Sequence, residues 1–281
     1  MAHTAWNREQ TLMALGLYLL PPVGKRNWDD PDPQIKVIAE AIGRSGNAVC
    51  LKIANLKNCD PNRTGKGFSN GSAMDREVMA EYLAAPSETL AEAMGLLAQN
   101  GIVLCEREGV PSLQAGGRPL RAGPAVTFEY DGQLKGSVAP VGAERDARVR
   151  ARVNQDYFRR NLLANYRGAC CLTRIDTTAL LVASHIKPWG KSAPAERTVS
   201  SNGILLNALH DKAFDKGLIT LDDQYRVRVS SRLRHSESND RWLFAYEGRR
   251  IDLPHDPTKA TWPSLEFIRY HNDCIFERVA V

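Results

Sequence analysis

The chain has 281 residues and a mass of 31.1 kDa, and its 43% hydrophobic and 25% charged residues are typical of a globular protein. No run of about 18 apolar residues occurs and the first ten residues do not resemble a secretory signal, so we expect a cytoplasmic protein without a membrane segment. Six cysteines without a C-x-x-C pair argue against a disulfide framework or a four-cysteine zinc site, and the net charge of +5 permits a polyanionic partner without requiring one.

Three helices are predicted in the first 60 residues. The first has helical apolar spacing, a Thr4 cap and a stop at Pro21 and Pro22. The second has an apolar face over 35–42, and the third follows a short glycine-containing turn with Ser45 as its cap. Two helices joined by such a turn are typical of a helix-turn-helix.

The third helix is expected to bury Leu51 among its apolar residues and to expose polar side chains. Asn47, Lys52 and Asn55 are of the types that contact phosphates or base edges. The alternative is a small helical bundle whose polar face is only solvated.

The middle of the chain predicts a domain boundary. After a further helical segment at 74–100, residues 106–143 are rich in glycine and proline and predict a linker, with one short hairpin at 126–134. We therefore expect a helical, DNA-binding domain at 1–105 and a second domain at 144–281.

A basic amphipathic helix at 144–166 opens the second domain. It carries six arginines, among them Arg152 and Arg159, against an apolar stripe, and this cationic face suits a phosphate backbone. The alternative is a solvated face that is partly paired with neighbouring acidic residues.

The most informative segment predicts a strand, a loop, a second strand and a helix. The first strand, 180–186, contains His185; the second, 202–206, begins at Asn202; and the helix, 207–214, carries His210. Both imidazoles are expected to face one cleft. A neutral imidazole can accept a proton from water or bind a divalent cation, so His185 is the candidate base and His210 the candidate ligand of a site that cuts phosphodiesters. The Asn202 amide can bridge the loop backbone on both sides.

The motifs ASHIKPW at 183–189, NGILL at 202–206 and HDKAFD at 210–215 resemble the HNH endonuclease domain of restriction and phage-defence proteins. The likeness extends over 144–281. It implies an α+β protein whose second domain has the ββα-metal fold, with His185 as general base, Asn202 as the loop-fixing residue and His210 as metal ligand. It also implies a divalent cation, Mg²⁺ first and Mn²⁺, Ni²⁺ or Zn²⁺ as the other candidates, and products that carry a 5′-phosphate.

One position departs from the pattern of the resemblance. Many relatives carry an acidic or histidine ligand directly before the base, where this chain has Ser184. Ser184 marks the position of the second ligand, and Asp215 or Asp211 are its possible substitutes. Lys187, two residues after the base, is a further candidate for contact with DNA.

The N-terminal pattern resembles Myb-like helical domains over about 4–62, which would place Arg44, Asn47, Lys52 and Asn55 on or near a recognition helix. The whole sequence thus predicts a metal-dependent endonuclease of a restriction or phage-defence system that acts on double-stranded DNA. A homodimer is one way to cut both strands. The alternatives are a non-catalytic DNA-binding regulator that keeps the fold, and a nuclease directed at RNA.

Overall fold

The computed structural model describes residues 5–22, 32–63, 71–107, 110–115 and 141–276. These residues form two compact units, one within Met1–Asp60 and Gly67–Tyr157 and the other within Pro61–Lys66 and Phe158–Val281. Helices and short antiparallel hairpins occur together, which confirms the α+β class. The predicted hairpin at 126–134 and most of the predicted linker lie outside the described residues, so the domain boundary stays a prediction.

The first unit is a helical bundle with one attached hairpin. Its elements are α1 (Arg8–Leu19), α2 (Pro33–Ile42), α3 (Gly46–Cys59), α4 (Ala73–Ala84), α5 (Pro86–Gln99), β1 (Ile102–Arg107) and β2 (Val110–Ala115). α1 is buried from Thr11 onwards and lies at the centre of the bundle. The antiparallel pair of β1 and β2 was not predicted, and it overlaps the start of the predicted linker.

Local signals set the helix ends of this unit. The Asn7 side chain caps α1 by accepting from the Gln10 amide, whereas Thr4 lies outside the described residues. Ser45 caps α3 as predicted, since its hydroxyl accepts from the Ala48 amide at 3.2 Å.

The buried face of α3 differs from the predicted one. Leu51 is 44% exposed and Lys52 is buried, so the expectation that Leu51 is core and Lys52 exposed is wrong. The helical period places residue 52 on the side that faces the bundle. There the Lys52 ammonium forms an ion pair with Asp75 and lies 4.8 Å from the centre of the Trp6 ring. A paired, buried lysine is unavailable to a phosphate.

The longest helix, α6 (Val141–Asn165), confirms the helix predicted at 144–166. Its residues up to Tyr157 belong to the first unit, where the Tyr157 hydroxyl donates to Asp60 at 2.8 Å. Its residues from Phe158 onwards belong to the second unit, where Phe158 is part of the hydrophobic core.

The second unit is built around a hairpin and a helix. Its elements after α6 are β3 (Leu181–His185), β4 (Gly203–Asn207), α7 (Ala208–Asp215), β5 (Ile219–Leu221), β6 (Val227–Val229), α8 (Glu237–Trp242) and α9 (Leu265–Cys274). β3 and β4 pair antiparallel, with Leu181 opposite Asn207 and His185 opposite Gly203. α7 packs on both strands. The predicted order of strand, loop, strand and helix is therefore confirmed.

Two further observations concern the cysteines and possible membrane segments. Cys171 is a free thiol buried in the core of the second unit. Among the described helices, none combines the length and the apolar character needed to cross a membrane.

Candidate active site

His185 is the last residue of β3, and contacts on several sides hold its imidazole. The Phe158 ring stacks on it with 3.9 Å between the ring centres, and Trp189 contacts it edge-on at 5.6 Å. Nε2 lies 2.9 Å from the Arg197 carbonyl. Because a carbonyl only accepts, Nε2 carries the hydrogen and Nδ1 carries the lone pair. Nδ1 makes no hydrogen bond with any described residue.

The surroundings of His185 keep its ring neutral. Burial lowers its pKa below the ordinary value, and the hydrogen bond to the Arg197 carbonyl opposes this shift only in part. A neutral imidazole with a fixed tautomer can accept a proton at Nδ1. This geometry suits the role of general base predicted for His185.

Asn202 is fully buried, and its amide ties together the loop between β3 and β4. Oδ1 accepts from the Lys187 amide at 2.8 Å, while Nδ2 donates to the Lys187 carbonyl at 3.2 Å, the Ser192 hydroxyl at 3.2 Å and the Glu196 carbonyl at 3.0 Å. The residue after Glu196 supplies the carbonyl that holds the imidazole of the candidate base. The amide therefore spans the loop backbone as its chemistry predicts.

Asn62, far away in sequence, supports the same loop. Its Oδ1 accepts from the Ser200 amide at 2.8 Å, and its carbonyl accepts from the Ser200 hydroxyl at 2.8 Å and from Asn165 Nδ2 at 2.9 Å. Asn62 and Ser200 are both buried, and Ser200 lies two residues before Asn202. No local sequence pattern signals such a long-range contact, so sequence reasoning missed it.

His210 is buried in the first turn of α7, and both of its ring nitrogens face protein oxygens. Nε2 lies 2.9 Å from the Trp242 carbonyl, and Nδ1 lies 3.1 Å from Asn207 Oδ1, which also caps α7. Tyr246 contacts the ring edge-on at 5.0 Å. In this arrangement neither nitrogen is directed at a cation. His210 can act as a ligand only when one of these contacts breaks.

The two imidazoles have no contact partner in common among the described residues. His185 contacts α6 and its own loop, whereas His210 contacts its cap residue and the segment 242–246. Their convergence on one cation stays a prediction.

A pair of carboxyl groups lies on α7 near β3. Asp211 and Asp215 are one helical turn apart, and burial raises the pKa of both; the charge of Asp211 raises the pKa of Asp215 further. Ser184 is only 3% exposed, and its hydroxyl makes no hydrogen bond of normal geometry with a described residue. Its proximity favours ionised Asp211 and so opposes part of the rise that burial causes in the Asp211 pKa.

Asp211 and Asp215 supply oxygen ligands but no larger cluster. Within the described part of the chain, no three His, Cys, Asp or Glu side chains come together to hold a metal ion. Mg²⁺ usually keeps several waters and binds through one or two carboxylates.

The residues of the first unit that were predicted to contact DNA are placed differently from one another. Asn47 is exposed and Asn55 half-buried. Arg44 donates to Gln10 Oε1 and to the Ala5 carbonyl, each at 2.9 Å, and so fastens the start of α1. Contact of these three residues with DNA stays a prediction, whereas Lys52 is buried.

The residues of the predicted second domain that were expected to contact DNA also differ in their exposure and in their partners. Arg152 is exposed. Arg159 donates to the Leu181 carbonyl at 2.7 Å and thereby joins α6 to β3. Lys187 forms an ion pair with Glu196 at 2.7 Å. Their contact with DNA also stays a prediction.

Comparison with known proteins finds a match over the hairpin and the helix. Residues 170–222 match a family model described as HNH endonuclease. The match does not reach the N-terminal region, and the Myb-like resemblance there is not confirmed. A solved structure described as a modification-dependent TagI restriction endonuclease aligns with 18% identity and a TM-score of 0.27, covering 43% of this chain and 38% of that chain. The comparison with curated proteins gave no match.

Proposed function

We propose that the protein is a metal-dependent endonuclease that hydrolyses phosphodiester bonds in double-stranded DNA, as part of a restriction or phage-defence system. The observation that carries this proposal is the arrangement of His185, which has a fixed tautomer, a lowered pKa and an unbonded Nδ1 among the described residues. It lies on the hairpin of a segment that matches the HNH endonuclease family.

In this mechanism His185 Nδ1 takes a proton from the attacking water. The Phe158 stack and the Arg197 carbonyl hold the ring in place, so proton transfer does not first require the side chain to be ordered. Asn202 is a positioning residue, because it fixes the loop that carries this carbonyl.

Asp211 and Asp215 would hold the divalent cation, with the Ser184 hydroxyl as a neutral oxygen beside them. When bound, the cation would stabilise negative charge on the scissile phosphate and on the leaving oxygen. His210 is the remaining candidate ligand, and it would first have to release the Trp242 carbonyl or Asn207.

The first unit is the candidate for choosing the DNA sequence, since contacts to phosphates position a protein without reading bases. Asn47 is an exposed polar residue of its predicted recognition helix, and Arg152 is an exposed arginine in the described part of the basic helix. Cleavage of both strands requires two sites or two successive nicks, and a homodimer would supply two sites.

Cleavage of supercoiled plasmid with Mg²⁺ or Mn²⁺ tests the proposal. The variant His185→Ala should nick at least about 100-fold more slowly than the wild type, since a general base typically contributes 10²–10⁴-fold. The matched control is His255→Ala, which removes an exposed histidine of the same unit and should nick at the wild-type rate.

Three other results would each contradict part of the proposal. Equal nicking by His185→Ala and the wild type would remove His185 from the mechanism. Cleavage of RNA but not of duplex DNA would assign the enzyme to RNA. Binding of DNA without cleavage of either nucleic acid would identify a regulator that only keeps the fold.

A further inference from the structure

An exposed aromatic residue with an arginine over its ring lies on the second unit. Trp242, the last residue of α8, is 47% exposed, and the Arg241 guanidinium lies 5.0 Å from its ring centre. Arg249 is placed in the same way over Tyr246, at 5.6 Å. We call these four residues, Arg241, Trp242, Tyr246 and Arg249, the Trp242 surface.

The segment that contains this surface is strongly basic. Between 226 and 250 the chain has seven arginines and three acidic residues. The seven arginines are all exposed: Arg226, Arg228, Arg232, Arg234, Arg241, Arg249 and Arg250. None of them forms an ion pair with a carboxylate of a described residue. Elsewhere in the unit, exposed arginines do form such pairs, as Arg174 does with Asp252.

The Trp242 surface is connected to the candidate active site. The Trp242 carbonyl accepts from His210 Nε2 at 2.9 Å, and Tyr246 contacts the same imidazole at 5.0 Å. A ligand on this surface would therefore lie beside α7, the helix that carries Asp211 and Asp215.

We propose that the Trp242 surface binds a DNA strand next to the cut site, with Arg241 and Arg249 at phosphates and the Trp242 indole stacked on an unpaired base. The identity of the ligand as DNA rests on the proposed nuclease function. A single exposed tryptophan is common on protein surfaces. Exposed arginines without described carboxylate partners in the same segment indicate a polyanion, and an aromatic platform with an arginine over it is an arrangement that binds unpaired nucleic acid.

Binding measured without cleavage tests this proposal. Labelled blunt duplex and duplex with a single-stranded overhang are titrated with the full chain in EDTA, over a range of salt concentrations, and followed by fluorescence anisotropy. Trp242→Ala, which keeps the backbone carbonyl, should weaken binding of the overhang DNA about tenfold and of the blunt duplex much less. Trp242→Phe should restore most of the loss.

The arginines are tested by charge-matched double variants. Arg241→Gln with Arg249→Gln should reduce the slope of log K against log salt by roughly 1.5, since each lost phosphate contact removes about 0.7–0.9. The control, Arg174→Gln with Arg269→Gln, removes two exposed arginines that already pair with Asp252 and Asp223, so its slope should equal that of the wild type.

The outcomes separate this proposal from the nuclease proposal. Wild-type binding by Trp242→Ala and by the Arg241 and Arg249 double variant would overturn the DNA surface, even where His185→Ala abolishes cleavage. Loss of binding in these variants would support the surface even if no protein cuts plasmid. Weaker self-association of Trp242→Ala with unchanged DNA binding would overturn the proposal and assign the surface to a second copy of the chain.

Discussion

The Asn202 side chain forms hydrogen bonds with backbone groups from two parts of one loop, so its removal should lower the stability of the fold. We expect Asn202→Ala to lower the free energy of unfolding by about 2–4 kcal/mol, because buried partners that lose a hydrogen bond each cost about 1–3 kcal/mol. Denaturant unfolding measures this change. Asn239→Ala is the control, since Asn239 also donates to a carbonyl but lies near the surface. Similar losses in both variants would show that the loop does not depend on the amide.

The cation site gives a second prediction for single residues. Asp211→Asn and Asp215→Asn should each weaken Mn²⁺ binding about 10- to 100-fold in calorimetric titrations, whereas His210→Ala should change it only a few-fold, because both imidazole nitrogens face protein oxygens. Asp223→Asn removes an exposed, paired carboxylate and serves as the control. Loss of Mn²⁺ binding in His210→Ala, with binding kept in the aspartate variants, would favour the imidazole as ligand.

For single residues, the sequence predicts the hydrogen-bonding chemistry of a side chain better than it predicts which groups that side chain contacts. The donor and acceptor of a primary amide were enough to expect that Asn202 bridges its loop, and the structure contains those bonds. The partners of His210 could not be expected, because the Trp242 carbonyl lies 32 residues away and a backbone group leaves no trace in the pattern of residue types.

At the scale of elements, Gly203 controls how α6 packs on the hairpin. A Cβ there would lie 2.5 Å from Phe158 Cζ and 2.6 Å from Leu162 Cδ1, so Gly203→Ala must displace both side chains. We expect a loss of about 1–3 kcal/mol in the free energy of unfolding. Plasmid cleavage should also decrease, because the Phe158 ring stacks on His185, which lies opposite Gly203.

Gly190→Ala is the matched control for this change. A Cβ at Gly190 meets no described atom within 4 Å, and its backbone is not in the left-handed region. Denaturant unfolding and nicking rates of the two variants should differ clearly. Equal stability and activity would mean that α6 can shift without disturbing His185.

The predicted elements match the structure where the pattern of apolar residues and the turn-forming residues indicate the same boundaries. Short continuous apolar runs and an Asn-Gly start give β3 and β4 their places, and helical spacing gives α7 its place. The phase of α3 was wrong because the pattern treats every lysine as exposed, whereas Asp75 provides a buried partner for Lys52. The hairpin of β1 and β2 has local pairing, but it was missed because its second strand falls in the segment that glycine and proline content assigned to a linker. The Gln34 side chain, which accepts from the Leu113 amide, adds a distant contact that the sequence does not signal.

At the scale of the whole molecule, charge is distributed in a way that composition hides. The total of +5 is modest, yet seven arginines lie between 226 and 250. The sequence shows this cluster directly, but only the structure shows that these side chains are exposed and lack carboxylate partners among the described residues. Two units are likewise present, while the boundary predicted for the linker remains a prediction.

Acid should destabilise the second unit through His271, which joins α9 to β5 and α7. Its Nδ1 lies 2.8 Å from the Thr220 hydroxyl and its Nε2 lies 3.1 Å from the Phe214 carbonyl. Burial lowers its pKa to about 4, below the 6.5 of the unfolded chain. Between these values the unfolded state binds more protons, so stability is complete above pH 6.5 and is lost as the pH falls towards 4, by about 3 kcal/mol at most.

The comparison of His271→Gln with the wild type isolates this contribution from the carboxyl groups that titrate in both proteins. Urea unfolding at several values between pH 7 and pH 4, with hydrogen exchange of β5 and α9 to report on the second unit, should give the variant a flatter dependence on pH. His255→Gln, at an exposed histidine, should keep the dependence of the wild type. Parallel curves for all three proteins would mean that His271 binds protons equally in the folded and unfolded states, so that burial does not lower its pKa.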